Sequence, residues 1–519
     1  MKENQSRPKD RGIDPRKIKK NGDKLENKID LALEPVKVNF FPGPQYDEKS
    51  RKWQGVPGIE RAPNGRLWAT WFSGGCSEDQ FNHVVLVTSS DNGLTWSEPI
   101  LTIDPPDNIR ACDPVLWHDP AGRLWLFWMQ GAHFDVTFDG RGGVWFIRCD
   151  NSDSTEPVWS SPRRIANGVM KNRPTVLSSG EWLFPCAVWS HKGPYFHSLP
   201  DEQFSNVFVS RDQGETFEFL GSADVPNRDC DEHMIVERRD GTLWMLVRVK
   251  DGIGEAVSVD RGRTWKASSK ALLPGPCSRF HIRKLRSGRL LLINHFNFTG
   301  RSHLTAMLSD DEGATWPDKL LLDERTNVSY PDAVETPDGK IIMIYDRNRL
   351  GEAEILLQTF TEEDILLNRN PGYEGRIPQI ISHAHRLDIG SENAPLEDAL
   401  LIDHMINVIR EKHASGRVSI HSTGNDGEFI LLPFRFAGSS LYLDFSTSPI
   451  GSIRVELQDF MGVAMKGYTL DDCLEIKGEG TENLVHWKQG HDVSAFAGQL
   501  IRMRFSMNNA VLFSFRFKH

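Results

Sequence analysis

The chain has 519 residues, of which 39% are hydrophobic and 15 are Trp, so it can bury a substantial core and form more than one domain. Its formal net charge of −10 at pH 7 argues against a general binder of nucleic acids or of anionic membranes. The sequence has no apolar stretch of about 18 residues, which excludes a transmembrane helix.

The N-terminal region, residues 1–36, is polar and basic and has no apolar signal segment. We expect it to form a tail outside the folded core. The seven cysteines of the chain are odd in number and include no Cys-x-x-Cys pair, which favours reduced thiols and a cytoplasmic location. A signal peptide removed from this end would instead indicate a periplasmic or secreted protein.

A repeat of turn glycines predicts the architecture of residues 37–372. Each glycine is followed by one residue and then by a short apolar run, and successive glycines lie 47 to 61 residues apart. This spacing is the length of a four-stranded propeller blade with its loops. Six copies therefore predict a six-bladed β-propeller in an all-β protein. The glycines are Gly65, Gly122, Gly180, Gly241, Gly288 and Gly339.

A second repeat, Ser-x-Asp-x-Gly-x-Thr followed by an aromatic residue, occurs at 89–96, 210–217, 258–265 and 309–316. The Asp side chain can accept local backbone N–H bonds while the Gly takes a positive φ, so the pattern predicts a tight turn. This is the Asp-box, or BNR repeat, and the chain resembles the sialidase (neuraminidase) group of β-propellers over roughly residues 50 to 350. Because the turn is structural, the box indicates the fold more strongly than the activity.

Residues 373–519 show a different pattern. Segments such as 440–445, 453–457 and 500–505 alternate apolar and polar residues with a period of two, as half-buried antiparallel strands do. We expect a C-terminal β-sandwich, similar to the accessory sandwiches of several propeller glycosidases. It could pack against the propeller or bind carbohydrate directly.

The propeller repeat also predicts where a ligand would bind. The first strand of each blade lines the central channel, and the positions nine residues before the turn glycines lie near one mouth of it. All of these six residues except the first are polar or ionisable: they are Val56, Asp113, Lys171, Glu232, Arg279 and Tyr330. Two residues further along are Gly58, Val115, Arg173, Met234, His281 and Asp332. Converging acids, bases and arginines indicate a site for a polar, anionic ligand.

The sialidase resemblance implies roles for several of these residues. The stretch from Glu232 to Arg248 looks like the blade in which the Glu helps to ionise a tyrosine and the Arg binds the substrate carboxylate. The stretch 329–332 looks like the strand that carries the tyrosine nucleophile, here Tyr330, and Arg301 matches a further substrate-binding arginine. A structural ion pair of Glu232 with Arg248, and a core role for Tyr330, are the alternative interpretations.

Three acidic residues complete the catalytic candidates. Glu78 or Asp79, after the inner strands of the first blade, could protonate the leaving oxygen, and Asp113 lies at the predicted channel mouth. The substrate-binding candidates are Arg173, Arg248, Arg279, Arg301, His281 and Asp332. No histidine spacing indicates a metal, and no cofactor is expected.

One departure from the sialidase pattern concerns the first blade. Sialidases begin it with Arg-Ile-Pro, whereas this chain has Gly55-Val56-Pro57. The sequence leaves open whether Arg61, Arg173, Arg279 or Arg347 compensates for the missing arginine.

The leading hypothesis is an exo-acting glycoside hydrolase that cleaves a terminal acidic sugar, sialic acid or another anionic sugar, from a glycan by a Tyr330 nucleophile assisted by Glu232. A polysaccharide lyase acting on uronic-acid glycans and a non-catalytic carbohydrate-binding propeller are the alternatives. The expected partner is an anionic glycan, with neither nucleic acid nor membrane. The sugar, the linkage, the stereochemical outcome and the oligomeric state stay open.

Overall fold

The computed structural model describes residues 31–75, 78, 81–106, 109–134, 137–138, 140–189, 199–269, 272–349, 351–368, 378–384, 415–422, 427–431, 436–459, 463–499 and 501–518. The expected N-terminal tail lies outside these residues except for its last six positions. Within this part of the chain, no helix is long and apolar enough to cross a membrane. The six cysteines described as free are Cys112, Cys149, Cys186, Cys230, Cys277 and Cys473.

Six antiparallel sheets follow one another along the chain, each with a path of four strands in chain order, and the second and fourth sheets have one further strand. The first sheet contains β1 (Gln54–Arg61), β2 (Leu67–Ser73), β3 (His83–Ser89) and β4 (Leu101–Ile103). The second contains β5 (Ile109–His118), β6 (Leu124–Phe134), β8 (Gly143–Cys149) and β9 (Arg163–Asn167), and β7 (Thr137–Phe138) pairs with β6. The third contains β10 (Thr175–Val176), β11 (Trp182–Ala187), β12 (Ser205–Ser210) and β13 (Glu218–Ala223).

The fourth sheet contains β14 (Met234–Glu237), β15 (Leu243–Val249), β16 (Gly252–Ser258) and β17 (Lys266–Ala267), and β18 (Leu273–Pro274) pairs with β16. The fifth contains β19 (His281–Lys284), β20 (Leu290–His295), β21 (Leu304–Ser309) and β22 (Asp318–Asp323). The sixth contains β23 (Val328–Glu335), β24 (Lys340–Arg347), β25 (Glu354–Thr361) and β26 (Gln379–Ser382). Its β26 lies beyond the boundary expected at residue 372, so the sixth sheet is completed by residues from the next region.

Short helices connect some of these strands. Helix α1 (Glu362–Leu366) follows β25, and a capping box stabilises its start, in which the Thr361 hydroxyl accepts from the Asp364 N–H while the Asp364 carboxylate accepts from the Thr361 N–H. Single 3-10 turns are Pro44–Tyr46, Glu48–Ser50, Pro200–Glu202 and Ser494–Phe496.

The turn glycines lie where the repeat predicts them. All six join the first two strands of their sheets, with φ between +80° and +97°, a range that favours glycine. In the Asp-box after β3, the Ser89 hydroxyl accepts from the Gly93 N–H at 2.9 Å, and Asp91 accepts from the Thr95 N–H at 2.9 Å. Each box therefore closes the turn between the third and fourth strands of its sheet through its own side chains.

The Asp-box glycines also show how the sheets are arranged. A Cβ on Gly214 in the third sheet would lie 2.4 Å from Trp125 in the second, and a Cβ on Gly313 in the fifth would lie 2.4 Å from Trp244 in the fourth. A Cβ on Gly93 in the first sheet would likewise lie 2.6 Å from Leu357 in the sixth. The first sheet thus packs on the last. The first strands of the remaining neighbours are also in contact, β1 with β5, β10 with β14 and β19 with β23, so the six sheets form a closed ring.

The seam between the sixth and first sheets is held by side chains as well as by packing. Arg51 and Gln54 both donate to the Ser382 hydroxyl, at 2.9 and 3.1 Å, and Gln379 donates to the Gly93 carbonyl at 2.7 Å. With ring closure at this seam, the architecture is the predicted six-bladed β-propeller.

The C-terminal region forms a separate antiparallel sheet of five strands: β27 (Ser415–Ser422), β28 (Gly427–Ile430), β29 (Ser440–Asp459), β30 (Glu479–Leu484) and β31 (Ile501–Lys518). The long strands β29 and β31 pair with each other, and the apolar positions that alternate along them are buried in a core of their own. Trp487, from the segment before β31, is fully buried in this core and donates its indole N–H to the Val455 carbonyl at 2.9 Å. In the described residues, the expected sandwich is thus one sheet covered by loop residues.

Candidate functional site at the channel mouth

The innermost strands of three sheets begin with the same backbone feature. Val56, Asp113 and Tyr330 each precede a proline and have φ of 56°, 53° and 55°. The strand register shifts at the same points in β1, β5 and β23, as expected for β-bulges. A left-handed conformation is unfavourable for Val and Tyr, so the fold maintains local strain at the rim of the channel.

Three of the predicted residues meet at this rim. The Tyr330 hydroxyl donates to Glu232 Oε1 at 2.8 Å, and Arg248 Nη1 lies 3.0 Å from the same hydroxyl and 2.8 Å from Glu232 Oε1. Burial opposes the charge on Glu232, but Arg248 and Lys171 outweigh it and lower the pKa of Glu232 to about 2. Its second oxygen, Oε2, is buried without a hydrogen-bond partner among the described residues. Tyr330 therefore lies against a carboxylate that is ionised at neutral pH.

Lys171 joins this group from the third sheet. Its ammonium lies 3.0 Å from Asp113 Oδ1 and 3.2 Å from Glu232 Oε1, and all three side chains are buried. Burial disfavours the charge, but Asp113 and other acidic neighbours raise the pKa of Lys171 well above its ordinary value. Lys171 is thus the third-sheet member of the ring that counting nine residues back predicts, and Arg173 belongs two residues further along.

Four cations surround the Tyr330 ring in addition to Arg248. The guanidinium carbon of Arg349 lies 4.1 Å from the ring centroid, and those of Arg279 and Arg301 lie 5.3 and 5.4 Å from it. The Lys171 ammonium lies 5.3 Å away. This arrangement concentrates positive charge around one phenol and suits an anionic ligand.

Arg279 has a structural position in this ring. Its Nη1 donates to the Lys171 carbonyl at 3.0 Å, and its Nη2 lies 2.9 Å from both the Pro57 and the Tyr330 carbonyls. The guanidinium therefore ties together the strand starts of three sheets. These donors are directed at the backbone, so a substrate anion would have to compete with three carbonyl groups.

Arg173, His281 and Asp332 form a second layer, two residues further along the inner strands. Arg173 donates to Asp332 Oδ2 at 2.9 Å and pairs with Glu60, and His281 Nδ1 lies 3.2 Å from Asp332 Oδ1. Burial opposes the charge on Asp332, but Arg173 and His281 outweigh it and lower its pKa. Burial also lowers the pKa of His281 to about 4 despite the carboxylate. The three predicted substrate-binding residues are thus paired with one another.

Arg349 is a site residue that the sequence reasoning missed. It follows β24, and its Nε donates to Asp346 Oδ2 at 2.8 Å. The same carboxylate accepts from the Val56 N–H at 2.8 Å and from the Ser329 hydroxyl at 2.7 Å. The side chain lies over Gly55, where a Cβ would approach its Cδ to 2.6 Å. Arg349 thus lies beside Val56, the position where the sialidase pattern has an arginine.

The other predicted residues are placed as follows. Glu78 accepts from Arg349 Nη1 at 2.9 Å, and its side chain is 49% exposed at the mouth. Asp79 lies outside the described residues. Arg301 borders the mouth, where its Nη2 donates to the Cys277 carbonyl at 2.9 Å.

The two remaining arginines that could have compensated for Val56 lie elsewhere. Arg347 pairs with Glu354 at 2.8 Å. Arg61 ends β1 beside the turn glycine Gly65, at the opposite end of the strand from the mouth. Among the described residues, no group of three or more His, Cys, Asp or Glu side chains could hold a metal ion.

Comparison with known proteins adds the family. Residues 65–343, more than half of the chain, match the profile of the BNR repeat-like domain. A sialidase of Paraclostridium sordellii is 23% identical over 269 residues, which cover 46% of this chain and 63% of the relative. A sialidase of Clostridium perfringens is 24% identical over 270 residues, which cover 47% and 68%. The chain thus spans about two thirds of the length of these relatives.

Among solved structures, the Hadza microbial sialidase Hz136 is similar over 61% of this chain and 67% of its own, with 20% identity and a TM-score of 0.49. A Trypanosoma rangeli sialidase is similar over 90% of this chain and 92% of its own, with 12% identity and a TM-score of 0.47. From the Asp-boxes, the six sheets and the profile match over residues 65–343, the chain belongs to the sialidase-like BNR repeat family.

Proposed function

We propose that the protein is a glycoside hydrolase that releases a terminal acidic sugar, with sialic acid as the first candidate. The observation that carries the proposal is the contact of Tyr330 with Glu232 at 2.8 Å and with Arg248 at 3.0 Å, inside a ring of cations. A neutral nucleophile suits such a substrate, because a carboxylate nucleophile would be repelled by the sugar's own anion. The sialidases similar to this chain support the same class.

In the first step, the Tyr330 oxygen attacks the anomeric carbon while its proton passes to Glu232 Oε1. The bond to the leaving oxygen breaks, and Glu78 or Asp79 protonates that oxygen. Water then attacks the same carbon and gives one proton to the carboxylate of Glu78 or Asp79, which restores that acid. The bond to Tyr330 breaks, and the phenol regains its proton from Glu232. Two displacements at one carbon retain its configuration.

Arg248 links substrate binding to this proton transfer. In the free site its charge is one reason for the low pKa of Glu232, which makes that carboxylate a weak base. A substrate carboxylate bound by Arg248 would neutralise part of this charge, so Glu232 would become a better proton acceptor when the site is filled. Arg301 is available as a second ligand of the same anion.

The test compares wild type with Tyr330→Phe and Glu232→Gln on aryl α-sialosides, aryl uronides and acidic oligosaccharides, measuring released sugar and near-ultraviolet absorbance. We expect sugar release by wild type and a loss of about 10³-fold or more in both variants, since each removes a group that reacts directly. Tyr345→Phe is the matched control, because Tyr345 is also buried and also donates to a carboxylate, Asp323, at 2.7 Å. It should keep wild-type activity.

Two outcomes would overturn this proposal. An unsaturated product that absorbs in the ultraviolet would indicate a lyase acting on a uronic-acid glycan, because a hydrolase cannot form such a product. Glycan binding without turnover of any substrate, unchanged in Tyr330→Phe, would indicate a carbohydrate-binding propeller.

A further inference from the structure

Arg349 has one buried partner and one partly exposed partner. Its Nε is bound to Asp346, a fully buried carboxylate that also holds the Val56 N–H. Its Nη1 is bound to Glu78, whose side chain is 49% exposed. Its Nη2 is buried without a hydrogen-bond partner among the described residues. The guanidinium is thus held rigidly on one edge, while the other edge has an unused donor and a partner that faces solvent.

The geometry points to an exchange at this outer edge. We propose that the anionic group of a ligand replaces Glu78 on the Nη atoms of Arg349, and that the released Glu78 then takes up a proton. The planar guanidinium offers two parallel donors to a carboxylate, which a single contact with Glu78 does not use fully. The exchange needs only a carboxylate ligand, whereas the use of the released Glu78 as the acid for the leaving oxygen rests on the proposed function.

The charges around Glu78 give the direction of the proton change. The part of Glu78 that is covered by protein disfavours its charge, but Arg349, Lys171, Arg110 and Arg301 outweigh this and lower its pKa. A bound anion removes the direct contact with Arg349 and adds a negative charge nearby, and both changes raise the pKa of Glu78. Ligand binding above the free-state pKa should therefore be accompanied by proton uptake, and affinity should increase as the pH falls.

This exchange has a consequence for specificity. A neutral sugar cannot replace Glu78 on the guanidinium, so it leaves Glu78 ionised and unable to donate a proton. An anionic sugar both binds and prepares the acid. Discrimination between the two would then appear in kcat as well as in KM.

The test is calorimetric and does not depend on turnover. Free N-acetylneuraminic acid and glucuronic acid are titrated into the protein at about pH 5.5, in two buffers with different ionisation enthalpies, and galactose is the neutral control. We expect both acids to bind wild type with net proton uptake, and galactose to give none. Glu78→Gln should bind the acids at least as tightly as wild type but without this uptake, because the titrating group is gone.

Arg349→Met should weaken binding of the acids by about 30-fold or more, since the fixed guanidinium is lost. Arg349→Lys keeps the charge beside Asp346 but not the paired donors, and should also bind more weakly than wild type. Arg347→Met is the matched control, because Arg347 pairs with Glu354. This variant should bind the acids as tightly as wild type does.

Equal proton uptake in wild type and Glu78→Gln, wild-type affinity in both Arg349 variants, or no binding of either acid would each overturn the exchange. The hydrolysis assay on the same proteins separates the two proposals. Proton-coupled binding without sugar release would leave the exchange standing and reject the hydrolase.

Discussion

The buried pair of Lys171 and Asp113 gives the sharpest quantitative prediction. Lys171→Met removes the ammonium that lies 3.0 Å from Asp113 and 3.2 Å from Glu232. Because both acids are buried, they are left facing one another with one cation fewer between them. Removing one partner of a buried ion pair costs about 3–5 kcal/mol, so we expect the free energy of unfolding to fall by this amount. Asp113→Asn leaves the ammonium paired with Glu232 and should cost less.

The double variant Lys171→Met/Asp113→Asn removes both charges. Asn tolerates the left-handed conformation at position 113, where φ is 53°, so the bulge should be preserved. We expect the double variant to lose about 1–3 kcal/mol less than the sum of the single variants. Urea unfolding of all four proteins at pH 7 measures this difference. Strict additivity, within about 0.5 kcal/mol, would refute the ion pair as an energetic unit.

The same substitution should change the titration of Glu232. The pKa of this carboxylate is lowered to about 2, with Lys171 as one cause after Arg248. A folded-state pKa below the unfolded value contributes stability that is present at neutral pH and lost as the pH falls through the folded value. Without Lys171 we expect the pKa to rise by about 1–3 units. The acidic limb of the pH profile of kcat/KM should then shift to higher pH. If this limb stays at the same pH in Lys171→Met, Lys171 does not act on Glu232.

Two further predictions concern the fold. Gly313→Ala should destabilise the protein more than Gly288→Ala. The two glycines have nearly equal φ, 89° and 88°, but only a Cβ at position 313 would meet Trp244, at 2.4 Å. Urea unfolding should show a difference of about 1–3 kcal/mol between the two variants, and equal losses of stability would contradict the packing argument. Burial lowers the pKa of His233 to about 4, so the folded protein favours the neutral imidazole. Because the unfolded chain takes up this proton more readily, wild type should lose up to about 3 kcal/mol of stability as the pH falls from about 6.5 to 4. His233→Gln should show a shallower fall over that window in pH-dependent unfolding, and an unchanged slope would count against the assignment.

The turn glycines explain why much of the channel mouth could be predicted from the sequence. Each fixes the phase of its hairpin, so counting back nine residues locates one equivalent position per blade. This placed Tyr330, Glu232, Asp113 and Lys171 together, and the structure has them in contact. A repeat transfers the geometry of one blade to the next, so the same count applies in each blade.

Arg349 could not be located in this way. It lies after the end of β24, in a connection that belongs to no repeat, and its position depends on Asp346, on the bare backbone of Gly55 and on ring closure. Its spacing of three residues from Asp346 is the one signal that the sequence offers, and such pairs are common.

For Arg279, the sequence predicted the place but not how its donors are used. The three strand starts whose carbonyls it binds come together only when the ring closes. The end of the propeller at β26 was also hidden, because the four residues Gln379–Ser382 are too few, and alternate too poorly between polar and apolar, to give a clear strand signal.

The seam between the last and first blades passes through the candidate site. Asp346 of the sixth blade holds the Val56 N–H of the first, and the same carboxylate orients Arg349. A fluctuation that parts these two blades therefore also breaks up the edge of Arg349 that we propose binds an anion. A tightly bound acidic ligand should therefore stabilise the closed ring, and so protect the whole propeller from heat and from proteases.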